Sequence, residues 1–126
     1  MARAQIDKWA EWYKINLSLA FTVPIFWRVV RTAPSQQDAQ SIADAIVRFD
    51  QLLGVAEAQL SGNRFLAGPD FSLADIVFGH ILFRYYTIEI DRPARQHVEA
   101  FYRTLTERPA YREHVMVSFE PLRVSD

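Results

Sequence analysis

The chain has 126 residues, half of them hydrophobic, a formal net charge of −1 and no cysteine. It is long enough for one domain with a real core, too apolar for disorder, and lacks the positive charge that draws proteins to nucleic acid or anionic membranes. Without cysteine there are no disulfides, no thiolate catalysis and no cysteine-ligated zinc.

The opening residues MARAQIDKWAEWYK are polar and amphipathic. No apolar segment of a secretory signal is read there, and a cytoplasmic location is expected. Residues 2–31 read as one long helix. Ile6, Trp9, Trp12 or Tyr13, Asn16 or Leu17, Ala20, Val23 and Trp27 follow the three-and-four spacing of a single stripe. Pro24 lacks the N–H that would bond the Ala20 carbonyl, so a kink or break is expected near Phe21 to Pro24. Phe26 and Trp27 call for more cover than one stripe gives.

Ser35 is the expected N-cap of a second helix, with Asp38 in the box position. Ala39, Ile42, Ala43, Ile46, Phe49, Leu53, Ala56 and Leu60 form its apolar stripe. Gly54 suggests a close helix crossing, and Ser61-Gly62-Asn63 is a stop signal.

The segment NRFLAGPDFSLADIVFGHILF, residues 63–83, is the most informative stretch. Gly68-Pro69-Asp70 reads as a turn. Ser72 and Asp75 have the spacing of a capping box, and Phe71 and Ile76 that of a hydrophobic staple. The Asp75 charge also suits the positive end of the helix. The helix that follows is apolar on almost every side, which places it in the middle of a domain. Asp75 and His80 interrupt the run, so it does not read as a membrane span.

Asp91-Arg92-Pro93 is expected to open a fourth helix with Val98, Phe101, Tyr102 and Leu105 on its inner face. Glu107-Arg108-Pro109 ends it and starts a short fifth helix through about Val115. The fold expected is all-α: a single domain, residues 1–126, of about five helices around a buried central one.

Ser72 and Asp75 read as a cap rather than a nucleophile and its partner, because no histidine is near and an apolar run follows at once. The three histidines, His80, His97 and His114, fall on three helices without a Glu-x-x-His or His-x-x-x-His pair, so no metal site is expected. His80 reads as a core histidine with a backbone partner, and His97 and His114 as solvated.

Three segments, in order, carry a resemblance to a known family: WAEW at residues 9–12, RFLAGPDFSLADI at 64–76 and EAFYRTLTERPAYRE at 99–113. They resemble the C-terminal helical domain of glutathione S-transferases, and the likeness covers most of the chain. Members of that family carry a preceding thioredoxin-like domain, which binds glutathione and supplies the Tyr, Ser or Cys that activates its thiol. No counterpart is read here. Thr22-Val23-Pro24-Ile25 is not followed by a strand or a Glu-Ser pair, as the family's Val-Pro turn would be. The chain is therefore expected to be an excised domain, or a product without the other half, and inactive alone.

The resemblance implies a full-length reaction in which glutathione, as co-substrate, attacks an electrophilic, mostly apolar small molecule. It implies a wall of the acceptor pocket on one side of Trp9 to Ala20, with Trp12, Tyr13 and Asn16 as candidate residues. It also implies a homodimer formed partly through the first two helices. Reductase, dehalogenase or isomerase chemistry, as in other family members, stays open. So does a stand-alone helical interaction module, as in translation-associated proteins.

Overall fold

The first helix buries a side chain at every fourth position, and its backbone is shaped to allow this. In the computed structural model, which describes residues 3–126, α1 runs unbroken over residues 3–30. Its α-helical pieces, Arg3–Trp12, Ser18–Phe21 and Arg28–Val30, are joined by π-turns at Tyr13–Leu17 and Thr22–Trp27. Pro24 lies in the second π-turn, within the region where distortion is expected. The wider turn lets the backbone re-pair around the missing N–H instead of breaking.

Tyr13, Leu17, Phe21, Ile25 and Val29 are all buried. In an ideal α-helix each step of four residues overshoots a full turn by about 40°, so this row would wind about 160° round the axis. The π-turns hold more residues per turn and offset the drift. The same phasing leaves Ile15, Leu19, Val23 and Trp27 exposed, at 48%, 73%, 52% and 43%. Val23 and Trp27 therefore leave the stripe assigned from uniform helical spacing. Phe26 is buried beside Phe21 and Phe119.

Helix α2 spans Ala39–Gly62 and begins later than Ser35. Asp38 is its N-cap, accepting from the N–H groups of Gln40 and Ser41 at 3.1 and 3.3 Å. Ser35 lies in a 3₁₀ turn, Pro34–Gln36, and donates to the Asp126 carboxylate. Ile46, Phe49, Leu53, Ala56 and Leu60 form the buried face of α2, while Ala39 and Ala43 are exposed. At Gly54 the close neighbour is a side chain, not another backbone. The Arg95 guanidinium lies 3.6–3.8 Å from where a Cβ would stand, and it pairs with Asp50 through two contacts of 2.9 Å.

Helix α3, Leu73–Thr87, is the central one. Phe78 stacks on Tyr13 at 4.9 Å and on Phe101 at 6.0 Å, and Tyr85 packs on Phe49 at 4.7 Å. Its burial is not all-round: Leu73, Ile76 and His80 form an exposed strip. His80 is therefore not a core histidine. Beside that strip Gly79 permits a close approach. The Tyr111 hydroxyl donates to its carbonyl at 2.8 Å, and a Cβ there would stand 3.0 Å from the Tyr111 ring and 3.1 Å from Leu105.

Helix α4, Gln96–Thr106, starts later than Asp91 because its N-terminus is capped from a distance. The Glu57 carboxylate on α2 accepts from the N–H groups of His97 and Val98 at 3.0 Å. Arg92 holds the preceding segment by donating to the carbonyls of Tyr85 and Ile88. Helix α5 is the short Pro109–His114. The tail then crosses α1 and α3: Phe119 packs on Phe26 and Phe83, and the Val124 N–H donates to the Val30 carbonyl at 2.8 Å. Among the described residues there is no strand, only an isolated bridge between Phe65 and Gly68, and no helix is long and apolar enough to cross a membrane.

The two helical glycines should respond oppositely to the same change. Gly54→Ala meets only ordinary contacts and should be neutral or stabilising by up to about 1 kcal/mol through helix propensity. Gly79→Ala gains the same propensity, but it pushes on a hydrogen-bonded ring and should destabilise by a net ~1 kcal/mol or more. Thermal unfolding of the two variants checks the pair.

Candidate functional site

The capping residues form a structural junction. Asp75 is fully buried, and one carboxylate oxygen accepts from the Leu66 N–H at 3.0 Å. The other accepts from the Ser72 N–H at 2.8 Å and the Ser72 hydroxyl at 3.3 Å. Ser72 and Asp75 thus make the expected capping box, with the carboxylate as its stronger half. Burial pushes the Asp75 pKa up, while these hydrogen bonds pull against that shift. The hydrogen-bonded turn lies at Phe65 to Gly68, earlier than Gly68-Pro69-Asp70, with reciprocal bonds of 3.0 and 3.3 Å. Gly68 closes it at φ 141°, a conformation that disfavours any side chain. Phe71 packs on Phe65 and under the Arg108 guanidinium, 3.7 Å from its ring centroid, while Ile76 is 45% exposed.

The three candidate pocket residues do not share an environment. Tyr13 is fully buried, its ring between Trp9 at 5.7 Å and Phe78 at 4.9 Å. Burial, and then the nearby Asp75 charge, push its phenol pKa up, so it is neutral at ordinary pH. Tyr85 is likewise pushed up to about 12, by burial first. Trp12 is half-buried and meets Tyr13 edge-on at 5.1 Å. Asn16, also half-buried, donates to the Trp12 carbonyl at 3.0 Å. The first π-turn accounts for this split, since it turns Tyr13 and Leu17 into the buried row.

Concave surface lies elsewhere on α1. A cleft of about 530 Å³ is framed by Ser18, Phe21 and Thr22 of α1, His80 and Arg84 of α3, and the tail around Phe119. A second, of about 350 Å³, lies between the start of α3 and α5, with Phe71, Ile76 and Tyr111 in its lining. His80 and His114 line both. A third, of about 700 Å³, lies between the start of α2 and the segment before α4. Trp12, Tyr13 and Asn16 line none of these three clefts. The first is the one that joins the middle of α1 to the exposed strip of α3. Its polar members on α1, Ser18 and Thr22, have no signal in the sequence, because such hydroxyls resemble ordinary helix-surface residues. Among the described residues there is no cluster of three or more His, Asp or Glu able to hold a metal.

Residues 18–109 match the family described as glutathione S-transferase, C-terminal domain. The chain belongs to the glutathione S-transferase family. It is 30% identical to the glutathione S-transferase GstB of Escherichia coli over 115 residues, which are 91% of this chain and 55% of that protein. It is 33% identical to the glutathione S-transferase F9 of Arabidopsis thaliana, over 90% of this chain and 54% of that one. In three dimensions it resembles the theta class glutathione S-transferase of Xanthomonas axonopodis pv. citri with glutathione bound, at TM-score 0.86 and 34% identity, over 92% of this chain and 61% of that one. The chain spans about half the length of the curated relatives it matches. It is the all-helical C-terminal domain of the glutathione transferase fold, with α3 as its central helix.

Within this domain the Asp75 carboxylate carries more of the cap than the Ser72 hydroxyl. Ser72→Ala should cost about 1 kcal/mol. Asp75→Ala leaves the N–H groups of Leu66 and Ser72 without their acceptor and should cost about 3 kcal/mol or more, at about 1–3 kcal/mol for each unsatisfied buried donor. Chemical denaturation of both variants measures the ratio.

Proposed function

We propose that this domain forms one wall of the acceptor-substrate pocket of a glutathione transferase, working with a thioredoxin-like domain that holds glutathione and activates its thiol. The cleft between α1, α3 and the tail carries the reading. It combines an aromatic floor with a few directional hydroxyl groups, the pattern of a small-molecule site. Ser18, Phe21 and Thr22 are then the α1 residues that meet the acceptor. Trp12, Tyr13 and Asn16 lie outside this cleft.

In the reaction the glutathione thiolate forms a carbon–sulfur bond to an electrophilic carbon of a largely apolar molecule, the carbon–halogen bond breaks and halide is released where that molecule is an aryl halide, and the conjugate then departs. Tyr13 and Tyr85 are fully buried in the core, so their phenols cannot reach a thiol to lower its pKa. That task falls to the complementary domain. This chain contributes shape, dryness and orientation. The exposed apolar row Ile15, Leu19, Val23 and Trp27 of α1, with Val47 and Val55 of α2, supplies packing surface for that domain and for a second copy in a homodimer. The working location in this reading is the cytoplasm.

Two measurements test the proposal. The 126-residue chain alone should conjugate glutathione to an aryl halide no faster than buffer, and faster turnover would contradict the division of labour. The same aryl halide should nevertheless bind the chain. Thr22→Trp, which fills the cleft, should weaken that binding about tenfold, equivalent to about 1.4 kcal/mol. Unchanged affinity in a folded variant would remove the cleft from the acceptor site.

A further inference from the structure

The groove of about 700 Å³ between the start of α2 and the segment before α4 shares no lining residue with the cleft read as the acceptor wall. One side of it is the apolar stripe of α2 before that stripe reaches the core. Ala39 and Ala43 are exposed there, Ile42 is half-buried and Val47 is 57% exposed. Ile90 and Pro93 line the other side.

That other side is an open edge of backbone. The chain leaves α3 extended at Ile88 (φ −78°, ψ 158°) and enters α4 extended at Arg95 (φ −134°, ψ 94°), with neither helix nor turn from Ile90 to Arg95. Pro93 disfavours a helical Arg92, and proline is tolerated on an edge strand. Among the described residues the backbone groups of Asp91, Arg92 and Ala94 have no hydrogen-bond partner. The segment is nevertheless pinned at both ends: Arg92 donates to the carbonyls of Tyr85 and Ile88, and Arg95 pairs with Asp50 at 2.9 Å. An edge already held in place loses little freedom when another strand pairs with it.

The charged residues lining the groove are Glu89, Asp91 and Arg92. The Arg92 guanidinium is committed to the two carbonyls and lies over the Tyr85 and Tyr86 rings. Glu89 shares Arg123 with Glu120, one cation between two carboxylates. Next to lining residues along the chain, Asp38 and Asp44 are offset by Arg28 and Arg48. The balance is negative, and exposed Asp91, with no ion pair or hydrogen bond among the described residues, is the carboxylate left open. We infer that the groove binds an extended, basic and apolar segment of a partner protein by strand addition. The segment's backbone pairs with the edge from Asp91 to Ala94, its alternate apolar side chains enter between α2 and Ile90, and a basic side chain meets Asp91.

The test is fluorescence anisotropy of the full chain with the dye-labelled hexapeptide Lys-Val-Lys-Val-Lys-Val. It should bind about fivefold more tightly than Glu-Val-Glu-Val-Glu-Val, the scale of a surface ion pair. Asp91→Asn should remove most of that preference. Ala43→Trp, which fills the groove from an exposed position, should abolish binding of the basic peptide. Two further peptides carry N-methyl groups on the valines or on the lysines, and so block one edge of the added strand each. One of them should keep binding and the other lose it. No binding by the parent peptide, equal affinity for its acidic counterpart, indifference to Ala43→Trp, or the same result from both methylated peptides would overturn the inference. Circular dichroism verifies the fold of each variant. Where Ala43→Trp does not fold, Asp91→Asn and the methylated pair decide. A wild type that dimerises in sedimentation velocity, and that Ala43→Trp makes monomeric, would give the groove to a second copy and also overturn the inference.

Discussion

One buried carboxylate holds the domain's junction together. Asp75 takes the Leu66 N–H with one oxygen and the Ser72 N–H with the other, so the loop before α3 is tied to the first turn of α3 itself. The carbonyl of the same Leu66 accepts from Gln59 of α2 at 2.8 Å. Arg108, between α4 and α5, covers the loop through Phe71. Helices α2 and α3 thus meet at a peptide and a carboxylate, with the α4–α5 junction packed over the adjoining loop. A charge removed from water is costly unless its hydrogen bonds are complete, and here the geometry completes them. The direction in which α3 leaves this junction fixes where Phe78 meets Tyr13, and where Arg84 stands relative to α1.

The second constraint is the period of α1. A core row spaced by four residues does not suit a straight α-helix, and the two π-turns bring it back into phase. One flank of the helix then seals the core from Tyr13 to Val29, while the other presents Ile15, Leu19, Val23 and Trp27. Ser18, just after the first π-turn, and Thr22, the first residue of the second, give the cleft its α1 hydroxyls. Backbone irregularity and candidate site coincide here because the same change of phase produces both.

Features encoded within a few residues were legible from sequence. The Ser72–Asp75 box, the distortion at Pro24, the buried face of α2 and the all-helical class depend on local spacing, and the structure bears them out. Features that depend on distant partners were not legible. The cap of α4 comes from Glu57, some forty residues away in sequence, and the acceptor for the Tyr111 hydroxyl is the carbonyl of a glycine in another helix. Ser35 was a reasonable cap, but Asp38 lies closer to the first helical N–H groups and Asp126 takes Ser35. Trp12, Tyr13 and Asn16 do not line the cleft on α1, and helical spacing counted through a π-turn assigns later residues to a neighbouring face. His80 was misassigned for a related reason: a helix rich in apolar residues conceals which narrow strip lacks cover.

If Asp75 is the junction on which the central helix depends, the amides it binds should open only when the whole domain does. Amide hydrogen exchange at Leu66 and Ser72 measures this directly. The account predicts exchange as slow as that of buried α3 amides such as Phe78, although both residues belong to a loop and its boundary. Exchange at the rate of an ordinary surface loop, with α3 still protected, would show that the helix holds its place without the carboxylate and would contradict the account.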